Sequence, residues 1–483
     1  MSQEVVAPRK VRLSLTGLAR VDDQLAVWGW KKQSNVWAQR AAVSVSTLRR
    51  FRARQRLPTA TFQAICQALE LDWQTVAELP HLAATTETVP HLTSAASPLD
   101  VELYVVRADL LHQLSQILDQ QYRIVIITGI TGIGKTVLAE QFTQQQPSAD
   151  WQPLALNFDL PSNQLPFVEV AAASLRQLGQ AIADEETQSS QTVLKRWVDY
   201  LIDHPCWVVM DSVEQILQGN EHSGWSVFID PLWEMFFHQL LGEEGCQSRF
   251  LLTSQDVPAD IEVPGLRYPQ RLHIQPIPGF SVAAQQQLFR QYGFAPDQFD
   301  EGWAYLLRIG QAYEGHPLAL QVILGEIMAV FEGDIVAYWQ TYGPEIAVVE
   351  AAQQVAAEQP ASLSPPQLDC YSQRLRKAVR TRIEATLRRL QQDSEDALLL
   401  LCMTAIYREA MPESFLLSPL QRRGWSTARC YIALDTLLDR YLLEVRPYQQ
   451  LRQHPLIRSV ALSYLEQRET EALLPEVSHD GDG

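Results

Sequence analysis

The chain has 483 residues, 46% hydrophobic and 20% charged, which at roughly 100–200 residues per domain predicts two to four globular domains and argues against a disordered chain. No apolar run approaches the ~18 residues of a membrane span, and the polar, basic start has no signal-like segment, so a cytoplasmic chain without a membrane partner is expected. Net charge is −17, yet residues 1–60 hold twelve Lys/Arg against three Asp/Glu, a local +9 that leaves −26 for the rest and marks a separate N-terminal module.

Within that module, residues 36–42 and 45–54 read as helix, short turn, helix, with Ser44 as N-cap of the second. Val45, Leu48 and Phe51 would face a core, leaving Ser46, Thr47, Arg49, Arg50 and Arg54 outward, with Arg52 adding charge. Hydroxyls and guanidinium forks at the start of such a helix suit phosphates and guanine edges, so nucleic acid is one candidate partner. A solvated face on a protein-interaction module suits them too, and both readings stand. Phe62, Ile65 and Leu69 would pack a further helix behind. Residues 80–98, rich in Thr, Ala, Ser and Pro, predict a linker.

Past residue 99, β-branched runs at 124–128, 154–158, 207–210 and 250–253 alternate with helical patterns, predicting a parallel sheet with helices between its strands. The first run leads into Gly129-Ile-Thr-Gly-Ile-Gly-Lys135-Thr136, a G-x-x-x-x-G-K-[ST] match that this composition produces by chance on the order of once in a thousand chains. Gly129, Gly132 and Gly134 admit close approach of phosphate, and backbone from Ile133 to Val137 at the start of the next helix would face it. Lys135 would meet the β- and γ-phosphates and Thr136 would hold Mg²⁺. The apolar run ending at Asp211 supplies the acid such a site needs near the metal. Glu214 either orients an attacking water or starts a solvated helix. Lys135, Asp211 and Glu214 are thus candidate catalytic residues, and Thr136 and Asp211 candidate metal ligands, partly through water.

From residue 278, apolar residues recur at three- and four-residue spacing over 283–292, 303–313 and 318–331, predicting an all-helical region. A Pro/Ser-rich break at 359–367 precedes helices at 383–390, 395–407 and 428–438 and a short strand at 442–445. Six scattered cysteines with no C-x-x-C pair predict reduced structural thiols and no zinc site.

From about residue 103 to 465, these residues carry a resemblance to the NB-ARC nucleotide switch of the signal-transducing STAND ATPases, the class of plant resistance proteins and apoptosome scaffolds. Tyr104-Val-Val106-Arg107 resembles the family's segment that cups adenine, with Val106 in place of a glycine. Ser248-Arg-Phe-Leu-Leu-Thr253 is similar to the sensor strand and Pro278-Gly-Phe-Ser to the G-L-S segment. Gly315-His316-Pro317-Leu318-Ala319 resembles G-L-P-L-A, whose proline packs on adenine. Gln453-His454-Pro455 resembles M-H-D, whose histidine reaches the β-phosphate of ADP. The N-terminal module is similar to the phage-repressor helix-turn-helix, and its pairing with NB-ARC to that of cyanobacterial multidomain proteins.

The resemblance implies a multidomain protein built on an α/β P-loop NTPase core with a parallel sheet. An all-α helix-turn-helix-like domain (1–79) and linker (80–98) precede a nucleotide-binding domain (99–277), a helical domain (278–358), a winged-helix domain (359–466) and an acidic tail (467–483). It implies a switch that takes ADP or ATP with Mg²⁺, closed with ADP and open or homo-oligomeric with ATP, signalling to a protein partner that the sequence does not name. Ser212 stands where the family has a second acid, Gln255 where it has a sensor arginine and Pro455 where it has an aspartate, so hydrolysis is expected to be slow. Two other functions fit the same residues: a DNA-binding regulator in which nucleotide is mainly structural, and a non-enzymatic assembly scaffold.

Overall fold

The computed structural model describes residues 10–28, 37, 40–41, 48, 51–52, 57–78, 105, 107–119, 122–145, 151–160, 164–183, 189–220, 224–294, 301–357, 370–446 and 450–473. In the N-terminal module β1 (Lys10–Val11) pairs antiparallel with β2 (Leu57–Pro58), and its described elements include α1 (Leu15–Val27), α2 (Thr59–Ala68) and α3 (Trp73–Val76). Ser14 starts α1 by accepting the Gly17 N–H at 2.8 Å, a cap worth about 1 kcal/mol. Leu48, Phe51, Phe62, Ile65 and Leu69 are fully buried in one cluster, as their spacing predicts. Arg52 is not a free surface charge: it ion-pairs with Asp22 of α1, and 14% of its side chain is exposed. Periodicity on its own helix could not reveal that α1 covers this side. Ser46, Thr47, Arg49, Arg50 and Arg54 lie outside the described residues, as do the linker at 80–98 and the break at 359–367.

The next region runs α4 (Ala108–Asp119), β3 (Ile124–Thr128), α5 (Lys135–Gln145), β4 (Gln152–Asn157), α6 (Phe167–Gln177), α7 (Ser190–Asp203) and β5 (Cys206–Asp211). A hairpin of β6 (Leu217–Asn220) and β7 (Gly224–Phe228) follows, then α8 (Leu232–Gly242), β8 (Arg249–Ser254), α9 (Ala259–Gly265) and β9 (Leu272–Pro276). Among the described residues, five parallel strands lie in the order β4-β5-β8-β3-β9. All of β3 is buried because both faces are covered. Ile124 and Ile126 pack toward α6, α7 and α8, while Val125 and Ile127 pack toward α4 and α5. Trp197 stacks on Phe236 at 4.5 Å in the first of these cores, each such side chain contributing roughly 2–3 kcal/mol. Since β3 lies between β8 and β9, the loop after Thr128 opens where strand order reverses, the usual ligand position in such sheets. β9 is a half-exposed edge strand ending in Pro276, which explains why no apolar run announces it.

The all-helical region comprises α10 (Val282–Gln291), α11 (Glu301–Ala312), α12 (Pro317–Val330) and α13 (Ile335–Ala357). After it come α14 (Cys370–Asp393), α15 (Glu395–Thr404), β10 (Met411–Pro412), α16 (Glu413–Arg422), α17 (Thr427–Asp439), β11 (Glu444–Arg446), β12 (Gln450–Arg452) and α18 (Pro455–Leu473). β12 pairs antiparallel with both β10 and β11. The sequence suggested only one strand here, because strands of two or three residues are held by their partners rather than by their own patterning. α12 is buried from Leu318 to Ile327 except at Gln321, since α14 and α17 pack on it, and one apolar core runs from Ile127 through Leu320 to Leu434 and Ile457. Cys66, Cys206, Cys246, Cys402 and Cys430 are buried and in no disulfide. No described helix is long and apolar enough to cross a membrane.

Candidate nucleotide site

β3 delivers residues 129–134 to the N-terminus of α5, whose first amides have no partner within the helix. Gly132 and Gly134 adopt φ of +84° and +100°, the left-handed region that favours glycine. A Cβ on Gly132 would also stand 2.9 Å from His316 Cε1, so only glycine lets the loop close against α12. Lys135 is buried, and its Nζ donates to the carbonyls of Gly129 at 2.8 Å and Ile130 at 3.3 Å. Burial lowers its pKa, opposed by the charges of Glu214 and Asp211, yet among the described residues no carboxylate stands within ion-pair distance. A buried ammonium beside free helix amides, with no described carboxylate in contact with it, is a donor set that phosphate fits.

Asp211 ends β5 and accepts two hydroxyl hydrogen bonds on Oδ1, from Thr253 at 2.6 Å and Thr136 at 2.9 Å. Burial raises its pKa, and those hydroxyls oppose the rise. Thr253 Oγ1 also accepts the Ser212 N–H at 2.9 Å, and Ser212 turns the chain out of the strand with φ of +61°. That turn brings Glu214 to the cavity that the loop lines. Its Oε1 accepts from the Gln255 amide at 3.2 Å, while its buried Oε2 has no protein partner among the described residues. Burial raises the Glu214 pKa against the pull of Lys135, making this carboxylate more basic than an exposed one. Thr136 and Asp211 together offer the hard oxygen atoms Mg²⁺ takes.

The remaining wall comes from distant segments. Arg107 donates to the carbonyls of Pro278 at 2.6 Å and Ile133 at 2.7 Å, with the Phe280 ring 4.8 Å from its guanidinium carbon. Val105, Phe280, Pro317 and Leu318 add an apolar patch, and Glu444, Arg446, Arg452 and His454 approach from the C-terminal sheet. Arg452 donates to Asp159 at 2.8 Å. Burial lowers the His454 pKa to about 4, opposed by the charge of Glu444.

One cavity therefore gathers Arg107, Gly132, Ile133, Gly134, Lys135, Thr136, Val137, Glu214, Pro317 and His454, with Asp211 and Gly129 each one hydrogen bond behind. Val106 lies outside the described residues. Sequence reasoning missed Asp159, Glu444, Arg446 and Arg452. Arg452 carried a signal, since two residues before His454 on an extended segment it shares that residue's side. Asp159 carried none.

The protein family described as AAA ATPase domain matches residues 105–239, which include the loop, Asp211 and Glu214. This segment is an AAA-type P-loop ATPase domain. Such a domain binds nucleotide, typically with Mg²⁺. The chain is 25% identical over 375 residues to an uncharacterized WD repeat-containing protein of Nostoc sp., a match that covers 69% of this chain. It spans 29% of that protein's length. Among solved structures, the Aeropyrum pernix ORC2 protein in ADPNP and ADP complexes is 17% identical with a TM-score of 0.31, covering 76% of this chain and 95% of its own. Cdc6p from Pyrobaculum aerophilum is 14% identical with a TM-score of 0.35, covering 76% and 98%. A Walker-type ATPase of Pyrococcus abyssi is 13% identical with a TM-score of 0.32, covering 74% and 96%.

Proposed function

We propose that the protein is a nucleotide-operated switch of the STAND kind, closed with ADP and opened by ATP. The observation that carries this reading is one cavity shared by the P-loop, Pro317 and His454, from three separate parts of the chain. A ligand touching all three favours the packing that brings them together, and a ligand with a different affinity for a second packing shifts the balance. The seams support the reading. α12 meets α14 and α17 mainly through buried apolar side chains around one buried Glu326–Arg382–Arg389 cluster, whereas the C-terminal region meets the ATPase domain through Arg452–Asp159 at 2.8 Å, Arg408–Gln164 at 2.6 Å and Arg376–Asp256 at 3.3 Å. Opening this seam returns both members of each pair to water, and that resolvation offsets the lost attraction, whereas exposing an apolar seam has no such offset, so this seam is the one to open.

In this reading the amides of 132–137 and Lys135 hold the β-phosphate side, Val106, Arg107 and Pro317 bound the base, and His454 reports the phosphate to the C-terminal region. Thr136 and Asp211 hold Mg²⁺, which when bound supplies charge neutralisation at the phosphates. Glu214 orients water, but its partner is the Gln255 amide rather than a cation, so hydrolysis is slow. Residues 99–277, 278–358 and 359–466 act as nucleotide-binding, helical and winged-helix domains. The module 1–79 is the output element, contacting DNA through Ser46, Thr47, Arg49, Arg50 and Arg54.

The test is to denature purified protein and identify the released nucleotide by chromatography, beside Lys135→Ala. Stoichiometric ADP from wild type and none from the variant is the expected result. A wild type that is empty and gains no thermal stability from ADP or ATP overturns the reading.

A further inference from the structure

His316 is fully buried at the start of α12 with both ring nitrogens engaged. Its Nδ1 accepts the Ala319 N–H at 3.3 Å, capping the helix, and its Nε2 lies 3.1 Å from the Thr131 carbonyl oxygen in the P-loop. A carbonyl can only accept, so the ring is the neutral Nε2–H tautomer. The Leu318 N–H adds a longer contact of 3.4 Å to the Gly132 carbonyl, and Gly132 leaves no room for a side chain between loop and ring.

We infer that His316 is a positioning residue for the phosphate loop, setting from α12 the direction in which the Gly132 amide points. A trans peptide is planar, with its C=O and the following N–H on opposite edges. Holding the Thr131 carbonyl against His316 therefore turns the Gly132 N–H away from α12. Among the described residues that N–H has no protein acceptor, which leaves it for a ligand. Burial holds the His316 pKa down, to about 3, so the strut persists across the physiological range. Undocking α12 would release the Thr131–Gly132 peptide to rotate, which couples nucleotide affinity to the seating of the helical region. This rests on the nucleotide reading above.

The two nitrogens can be separated by substitution. His316→Asn keeps an acceptor near Nδ1 for the cap but cannot reach Thr131, whereas His316→Gln extends an amide toward Thr131 and lacks the cap. The readouts are dissociation of a fluorescent ADP analogue and thermal unfolding of nucleotide-free protein. Positioning expects His316→Asn to unfold close to wild type yet release the analogue about tenfold faster, the equivalent of one lost hydrogen bond, with slower release restored in His316→Gln despite its lower unfolding temperature. Equal release from the two variants, or faster release from His316→Gln, overturns it and leaves a helix cap. Absence of analogue binding by wild type would instead sink the nucleotide reading itself, so the two failures are distinct.

Discussion

Arg452 of β12 donates to Asp159, just past the end of β4, at 2.8 Å across 293 residues of sequence. Only 14% and 9% of the two side chains is exposed, and both line the cavity that holds Lys135 and His454. The pair is a bridge from the ATPase domain to the C-terminal sheet at the rim of the phosphate region. Arg452→Ala leaves the Asp159 carboxylate half stranded and should weaken closure by about 2 kcal/mol. Nucleotide exchange, followed by stopped flow, is expected to accelerate. An Asp159→Arg, Arg452→Asp exchange that recovers part of the slow rate would separate the pair from either residue alone, and an unchanged exchange rate in Arg452→Ala would show the bridge has no part in closure.

His454 yields a pH dependence. Its pKa in the fold is lowered to about 4 by burial, below the usual value of 6.5. A depressed histidine contributes stability that is complete above the unfolded value and is lost as pH falls from there toward the folded one. Asp211 and Glu214, both raised by burial, act in the opposite direction as they take up protons. The informative quantity is therefore the difference between wild type and His454→Gln. Urea unfolding without nucleotide at pH 7.5 and 5.5 should show wild type losing more stability on acidification than the variant; equal losses would contradict the assignment.

Glu326 of α12 is 1% exposed and accepts from both Arg382 and Arg389, the latter at 2.9 Å. Glu326→Ala removes the buried carboxylate that both guanidinium groups share, leaving Arg382 and Arg389 only the half-exposed Glu345 as an acidic partner, and should destabilise the chain by about 3 kcal/mol. The loss appears in chemical unfolding, whereas Arg429→Ala, which breaks an exposed pair with Asp396, should cost little. Comparable losses from the two would contradict the burial argument.

For the N-terminal module, Arg49→Ala with Arg50→Ala is expected to weaken DNA binding and lower the slope of log affinity against log salt by about two. Arg52→Ala should act on stability instead, because its guanidinium is already paired with Asp22. Binding that ignores salt, or the absence of binding in wild type, would exclude nucleic acid as the partner and leave protein contact.

Much of the ATPase domain was legible because its signals are local. Ile124–Thr128 is a buried strand that needs both faces covered, and the loop after it requires glycine at 132 and 134 by its own dihedral angles. The first three helices of 282–357 announced themselves by period, with bounds within a residue or two. β9 escaped because it is a half-exposed edge strand ending in proline, and β10 and β12 because each is short and takes its hydrogen bonds from a partner remote in sequence.

The sequence by itself determined the parallel-sheet ATPase domain and the chemistry of its phosphate loop, since eight contiguous residues carry the donors, the backbone freedom and the helix start. Only the tertiary structure decided what closes over that loop. Asp159 with Arg452, His316 with Thr131 and Arg52 with Asp22 are ordinary polar residues in their own segments, and each becomes specific when packing buries it beside one partner. Burial is a property of the assembled chain: it strips water from a charge or an imidazole and so decides which hydrogen bonds must be made within the protein.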